Sequence, residues 1–219
     1  MRRLIIIVEG DSEQGFVDKV LSPYFGQRGI TAISCYKIKK TNGGLTNYEH
    51  LRKDLMKAVH EENVFVTTLV DFYALPPNFP RYEEAKKIQD KGARLTFLEN
   101  AIVEDIAHGN HLPFLKPYIQ LHEFEAFTFT NMKGFESYFS EQEADMKGLR
   151  AIVEGFENPE DINENKETAP SKRLKQLIRG YSKVVDGNNI IAENGLTQVL
   201  SKCSRFRQWT EIVIAGVIN

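Results

Sequence analysis

Arg3-Leu4-Ile5-Ile6-Ile7-Val8-Glu9-Gly10-Asp11-Ser12-Glu13 is the stretch that decides the fold. Five consecutive apolar residues, four of them β-branched, run directly into a carboxylate, a glycine and two further acids. An unbroken apolar run of this kind reads as a strand covered on both faces, as in a parallel sheet. A carboxylate at the carboxyl end of such a strand stands at the rim where open α/β sheets bind ligands. The pattern returns twice. Val64-Phe65-Val66-Thr67-Thr68-Leu69-Val70 leads into Asp71, and Tyr118-Ile119-Gln120-Leu121-His122 leads into Glu123 and Glu125. Three strand ends that each deliver acid predict one cluster of hard oxygen ligands, suited to Mg²⁺ or Mn²⁺.

The intervening segments carry helix signals. Asp11 or Ser12 is placed to N-cap a helix with Glu13 in its first turn, and Phe16, Val17, Val20, Leu21 and Tyr24 mark one apolar face. Residues 32–38 read as a strand and Thr41-Asn42-Gly43-Gly44 as a turn. Leu51, Leu55, Met56 and Val59 define a second amphipathic helix before the Val64 strand. The resulting β-α-β-α-β order predicts an α/β fold with a mostly parallel central sheet flanked by helices. A Pro-rich loop at residues 72–82 follows Asp71 and would overhang the site; helices are expected near residues 83–89 and 95–107. From residue 131 the spacing is helical, with a polar link at residues 158–165. The expected organisation is an α/β domain over residues 1–130 with a helical extension, residues 131–219, packed on it.

Composition narrows the classes. The 219 residues are 42% hydrophobic and 26% charged, enough for a sizeable core in one large domain. A net charge of −2 gives no global attraction to nucleic acid or an anionic membrane, so nucleic-acid contact must come from local basic patches. Such patches occur at Lys37, Lys39 and Lys40, at Lys86 and Lys87, and at Lys172 and Arg173. The last pair opens a helix, where cations are disfavoured by the dipole, which hints at an anionic neighbour. Cys35 and Cys203 lie far apart without metal or disulfide spacing, as expected of thiols in a reducing cytoplasm. The longest apolar run is too short to cross a bilayer, so a soluble protein with no membrane partner is expected. His108, His111 and His122 form no zinc pattern, though His122 adjoins the acids as a supporting partner or general base. Phosphate-loop, dinucleotide and serine-hydrolase motifs are lacking.

Glu9 is the leading candidate, helped by Gly10, which lets backbone turn and approach closely. A capping or solvated acid is the plain alternative for it and for Asp71. In an extended segment Glu123 and Glu125 fall on one side, and Phe124, Ala126 and Phe127 argue for partial burial. For Asp11 and Glu13 helix capping is the favoured role.

These residues carry a resemblance. Glu9-Gly10 after an apolar strand and Asp71 at the end of a later one resemble the Toprim-type domain of topoisomerases, bacterial primases, the small ribosomal-RNA maturation nuclease and overcoming-lysogenization-defect (OLD) nucleases. That family ends its later strand in Asp-x-Asp; Tyr73 stands at the second position here, so one implied ligand is missing, and Glu123 and Glu125 are the candidates to substitute. Nearly the whole chain is similar to the bacterial DUF4276 family, through residues 5–10, 67–73, 120–126, 167–173 and 186–187. The resemblance implies a phage-defence setting, an ATPase partner, and Glu9 as a metal ligand or general base.

The expectation is a Mg²⁺-dependent phosphodiesterase acting on DNA or RNA. Glu9, Asp71 and Glu123 would hold the cation, Glu125 would complete the shell or hold a second one, and Lys39, Lys172 and Arg173 would neutralise phosphate. A non-catalytic Toprim-like module that docks on an ATPase is the alternative, favoured by Tyr73 and the acidic balance. An enzyme handling nucleotides or small phosphates is a third reading.

Overall fold

The computed structural model describes residues 1–39, 45–162 and 168–219. The turn at residues 41–44, Lys40 and the end of the polar link, residues 163–165, lie outside the described residues.

Five strands form one sheet: β1 (Arg3–Val8), β2 (Ile33–Lys37), β3 (Val64–Asp71), β4 (Leu115–Lys116) and β5 (Ile119–Gln120). The order is β2-β1-β3-β4, with β5 also pairing to β3, and every pairing is parallel. Strand β1 is therefore flanked on both sides, and its alternate residues serve two cores. Leu4, Ile6 and Val8 join Phe65 and Leu69 against Phe16, Phe206, Trp209 and Val213. Those partners come from α1 (Asp11–Phe16) and α11 (Ser204–Ile218). Ile5 and Ile7 join Val66 and Val70 against α3 (Tyr48–Ala58) and α5 (Lys91–Ala107), through Leu51, Leu55, Leu95, Leu98 and Ile102. Each such aliphatic side chain removed from water contributes about 1.5–3 kcal/mol, which is why a run that is apolar on both faces selects this position.

The C-terminal helix closes the sheet. Arg2 donates its backbone N–H to the Val217 carbonyl at 2.8 Å, and Trp209 Nε1 donates to Thr67 Oγ1 at 2.9 Å. Gly216 faces the Phe65 ring so closely that a Cβ there would run into it. A third cluster, around Phe129, Phe135, Leu149, Leu174 and Ile190, belongs to the later helices. These include α6 (Lys133–Tyr138), α7 (Met146–Gly155), α8 (Pro170–Leu177) and α9 (Asn188–Asn194), while the short α4 (Tyr82–Ala85) precedes α5 and α10 (Leu196–Lys202) precedes α11.

Three local readings are corrected. The helix after Gly10 runs α1, a π-helical turn Val17–Leu21 and α2 (Ser22–Gly26), and Gly10 at its N-cap position supplies no side-chain cap. Gly10 itself is extended, at φ −152°, so no turn demands a glycine there. The strand entering Glu123 stops at Gln120, and Phe124–Thr130 is a buried 3₁₀ segment. Thr128 and Thr130 stabilise that segment by donating hydroxyl hydrogen bonds to the carbonyls of Glu125 and Phe127. Glu123 and Glu125 consequently do not share one side of an extended chain.

Candidate acid cleft

The pairing of β1 with β3 brings their carboxyl ends together, with Val8 opposite Leu69. One residue on, Glu9 accepts the backbone N–H of Asp71 at 3.4 Å on one oxygen and that of Leu45 at 3.1 Å on the other. Asp71 is itself buried, at 8% exposure. Because α1 begins immediately after Gly10, Glu13 falls in its first turn and is directed inward, at 5% exposure. The 3₁₀ segment adds Glu125, fully buried. A π-helical turn, Lys183–Gly187, brings in the counter-charge. Lys183 Nζ is 3.1 Å from a Glu125 carboxylate oxygen and 3.8 Å from one of Glu13, and lies 5.5 Å from the centre of the Phe124 ring.

A latch fixes the two halves. Asn188 Nδ2 donates to the Ser12 carbonyl at 3.1 Å and the Val184 carbonyl at 3.0 Å, joining the Glu13 helix to the Lys183 turn. Gly15 makes room for it, since a Cβ there would come within 2.6 Å of that nitrogen. Above the acids opens a cleft of ≈ 320 Å³, lined by Glu9, Glu13, Lys37, Asp71, Lys183 and Val184 among others.

Four carboxylates thus face one ammonium. Burial first, then the charge of Glu13, raises the Glu9 pKa above the usual carboxylate range. Asp71 is raised further, by burial and by Glu13, Glu9 and Glu125, against the lowering pull of Lys183. Burial pushes Glu125 up to about 7. For Lys183 burial works toward deprotonation, but the summed field of Glu125, Asp71 and Glu13 outweighs it and raises the pKa, so the ammonium stays charged. The cluster behaves as a site short of positive charge.

Its donor set is oxygen-only, the preference of Mg²⁺ and Mn²⁺. The buried Glu125 carboxylate has the Lys183 ammonium 3.1 Å from one oxygen, which leaves the other oxygen with coordinating capacity. Among the described residues no three His, Cys, Asp or Glu side chains stand in coordinating positions as placed. A cation would share the cleft with Lys183.

The other expected site residues are placed as follows. Glu123 points away, accepting the Ser171 backbone N–H at 2.8 Å and the Ser171 hydroxyl at 2.9 Å at the start of α8. The anion beside that helix start is therefore Glu123. Arg173 Nε donates to the Thr168 carbonyl and Lys172 is exposed; neither lines the cleft. The Lys39 backbone N–H donates to Asp54, and its side chain lines an adjoining hollow. Asp11 pairs with Lys37 at the cleft rim instead of capping α1. Tyr73 is 56% exposed and stacks on the buried His122 ring, with centroids 5.3 Å apart. Burial and the nearby Lys91 charge lower the His122 pKa to about 4, so the imidazole is neutral near pH 7.

Two cleft residues escaped the sequence reading. Glu13 looked like a capping acid, and only its four-residue spacing from Glu9 across a strand–helix junction signalled otherwise. Lys183, which opens Lys183-Val184-Val185-Asp186-Gly187, carried no local sequence signal.

Residues 8–213 match the family described as "Domain of unknown function (DUF4276)". The chain belongs to that family. Solved structures similar to this DUF4276 chain include the C-terminal region of the Burkholderia pseudomallei OLD protein, 17% identical with a TM-score of 0.48, covering 99% of each chain. The C-terminal region of the Xanthomonas campestris pv. campestris OLD protein is 15% identical with a TM-score of 0.45, covering 100% of this chain and 97% of that one. No curated protein matches. Among the described residues no helix is long and apolar enough to cross a membrane.

Proposed function

We propose that this chain is a divalent-metal-dependent phosphodiesterase acting on DNA or RNA, in a phage-defence setting as its sequence resemblance implies. The observation that carries the reading is the convergence of Glu9, Glu13, Asp71 and Glu125, from three separate stretches of the chain, on the single ammonium of Lys183. Glu9, Asp71 and Glu13 would hold the cation at the cleft floor, with Glu125 beneath. A bound divalent cation polarises a scissile phosphate and lowers the pKa of an attacking water. If Asp71 and Glu13 hold the cation without it, Glu9 would instead take the proton from that water, the role the sequence resemblance implies. Lys183 donates to a phosphate oxygen as charge builds on it, the part assigned from sequence to Lys39, Lys172 and Arg173. Asp71 and Glu125 keep that ammonium protonated and aimed.

Glu9→Gln tests the reading. Mg²⁺- or Mn²⁺-dependent cleavage of plasmid and single-stranded substrates should disappear, and calorimetric Mn²⁺ binding should weaken at least tenfold. Undiminished cleavage removes Glu9 from the mechanism.

A second reading has one observation in its favour. Where the Toprim resemblance implies an acid, Tyr73 presents an exposed ring, which suits a non-catalytic module that docks on an ATPase partner. Copurification with such an ATPase, with no cleavage in any divalent metal, would select it.

A further inference from the structure

The chain's net charge is −2, yet several of its cations line one route across the surface. Helix α3 carries Arg52, Lys53, Met56 and Lys57, and His60 follows in the same helical register. Together these five line one shallow hollow that contains no acid. Lys57 also lines a second hollow, with Tyr36, Lys37 and Lys39. Lys37 in turn lines the acid cleft. Shared residues therefore link the three depressions into a continuous path from Lys183 to His60.

The acids along this path are engaged. Asp54 accepts the Lys39 backbone N–H, Glu61 pairs with Arg3, Asp11 with Lys37, and Asp105 with Arg52. Lys53 and Lys57 are exposed, and neither has an ion-pair partner among the described residues. Tyr36, 45% exposed on edge strand β2, adds a ring beside the lysines, the combination that single-stranded nucleic acid uses for backbone neutralisation and base stacking. Solvated lysines on a helix are ordinary; a run of them that starts in an acid-free hollow and shares residues, hollow by hollow, with the acid cleft is not.

We propose that the outer face of α3, continued by Lys57, Tyr36, Lys39 and Lys37, is a backbone track for a nucleic-acid strand whose scissile phosphate lies in the acid cleft. The direction of the track rests on the phosphodiesterase reading; its affinity for nucleic acid does not. Phosphates along it meet Lys53, Lys57 and Arg52, and the strand turns at Lys37 into the site.

The test is the double charge reversal Lys53→Glu/Lys57→Glu in the full chain, with Lys86→Glu/Lys87→Glu, in the turn that follows Ala85, as control. Anisotropy of a labelled single strand of about 20 nucleotides reports binding, and the salt slope counts contacts. The α3 variant should bind at least tenfold more weakly, with the log–log slope reduced by about 1.4, two contacts at about 0.7 each for single strands. The control should match the parent. Equal loss in both variants, an unchanged slope, or equal parental affinity for poly-glutamate overturns the track. Hydrolysis of bis(p-nitrophenyl) phosphate, too short to reach α3, is read in parallel and should be unaltered by the α3 variant. If the parent fails to hydrolyse it with Mn²⁺, the phosphodiesterase reading falls, while anisotropy still decides the track.

Discussion

Replacing Glu125 by Gln keeps the shape of a fully buried side chain and deletes a charge that the surroundings resist. The folded pKa is about 7 against an ordinary 4.5, because burial outweighs the attraction of Lys183. The sign follows from linkage. A carboxyl whose pKa is raised on folding binds more protons in the native state than in the unfolded one, so stability falls as pH rises between those values. With 1.36 kcal/mol per pKa unit, the shift corresponds to a loss on the order of 3 kcal/mol between about pH 4.5 and about pH 8. Glu9 and Asp71 are raised in the same direction and remain in both proteins; the part of the Asp71 shift that the Glu125 charge causes disappears in the variant, which widens the difference in the same direction. Urea unfolding followed by circular dichroism, at half-unit steps across this range without divalent metal, gives the two curves. The parent should lose about 3 kcal/mol relative to Glu125→Gln on going from acid to alkaline pH. Mg²⁺ should flatten the parental decline by stabilising the ionised form. Parallel curves for the two proteins would refute the charge-deficient description of the cleft.

Lys183→Met should destabilise at pH 8 and much less at pH 5, where the acids take up protons. About 2 kcal/mol is expected by thermal or urea unfolding, below the 3–5 kcal/mol of a fully enclosed pair because the lysine side chain is 35% exposed. Glu123→Ala should cost about 1 kcal/mol by removing the acceptor at the start of α8, and leave Mn²⁺ affinity within twofold; lost Mn²⁺ binding would instead make Glu123 a ligand, as its sequence position suggested. Gly216→Ala should lower thermal stability by about 1–3 kcal/mol, because the added methyl meets the Phe65 ring, and an unchanged melting temperature would contradict the close packing of α11 on β3.

The sheet was legible because residues 4–8 and 64–70 are apolar on both faces, a pattern few other positions in a fold accept. Glu9 and Asp71 were legible for the same reason: a buried parallel strand fixes where its last residue emerges. Glu123 and Glu125 were not resolved from each other, because Phe124 and Phe127, three residues apart and both buried in the core, favoured a helical turn over the extended reading and turned the two acids opposite ways. Lys183 was beyond the reach of local patterning. Its partner acids come from distant parts of the chain, and a lone lysine in a π-helical turn has no periodic signature. The α3 cations are visible in the sequence, but only packing shows that they join the cleft.

The order of the chain gives the Lys183 turn one more significance. Ribosomes release Glu9, Glu13, Asp71 and Glu125 well before the lysine that offsets them, and α11, which seals β1 and β3, emerges later still. A nascent or prematurely terminated product therefore holds mutually repelling carboxylates with neither their ammonium nor their lid. On the phosphodiesterase proposal, a product ending before residue 183 would carry the acids of the cleft without the ammonium assigned to the phosphate.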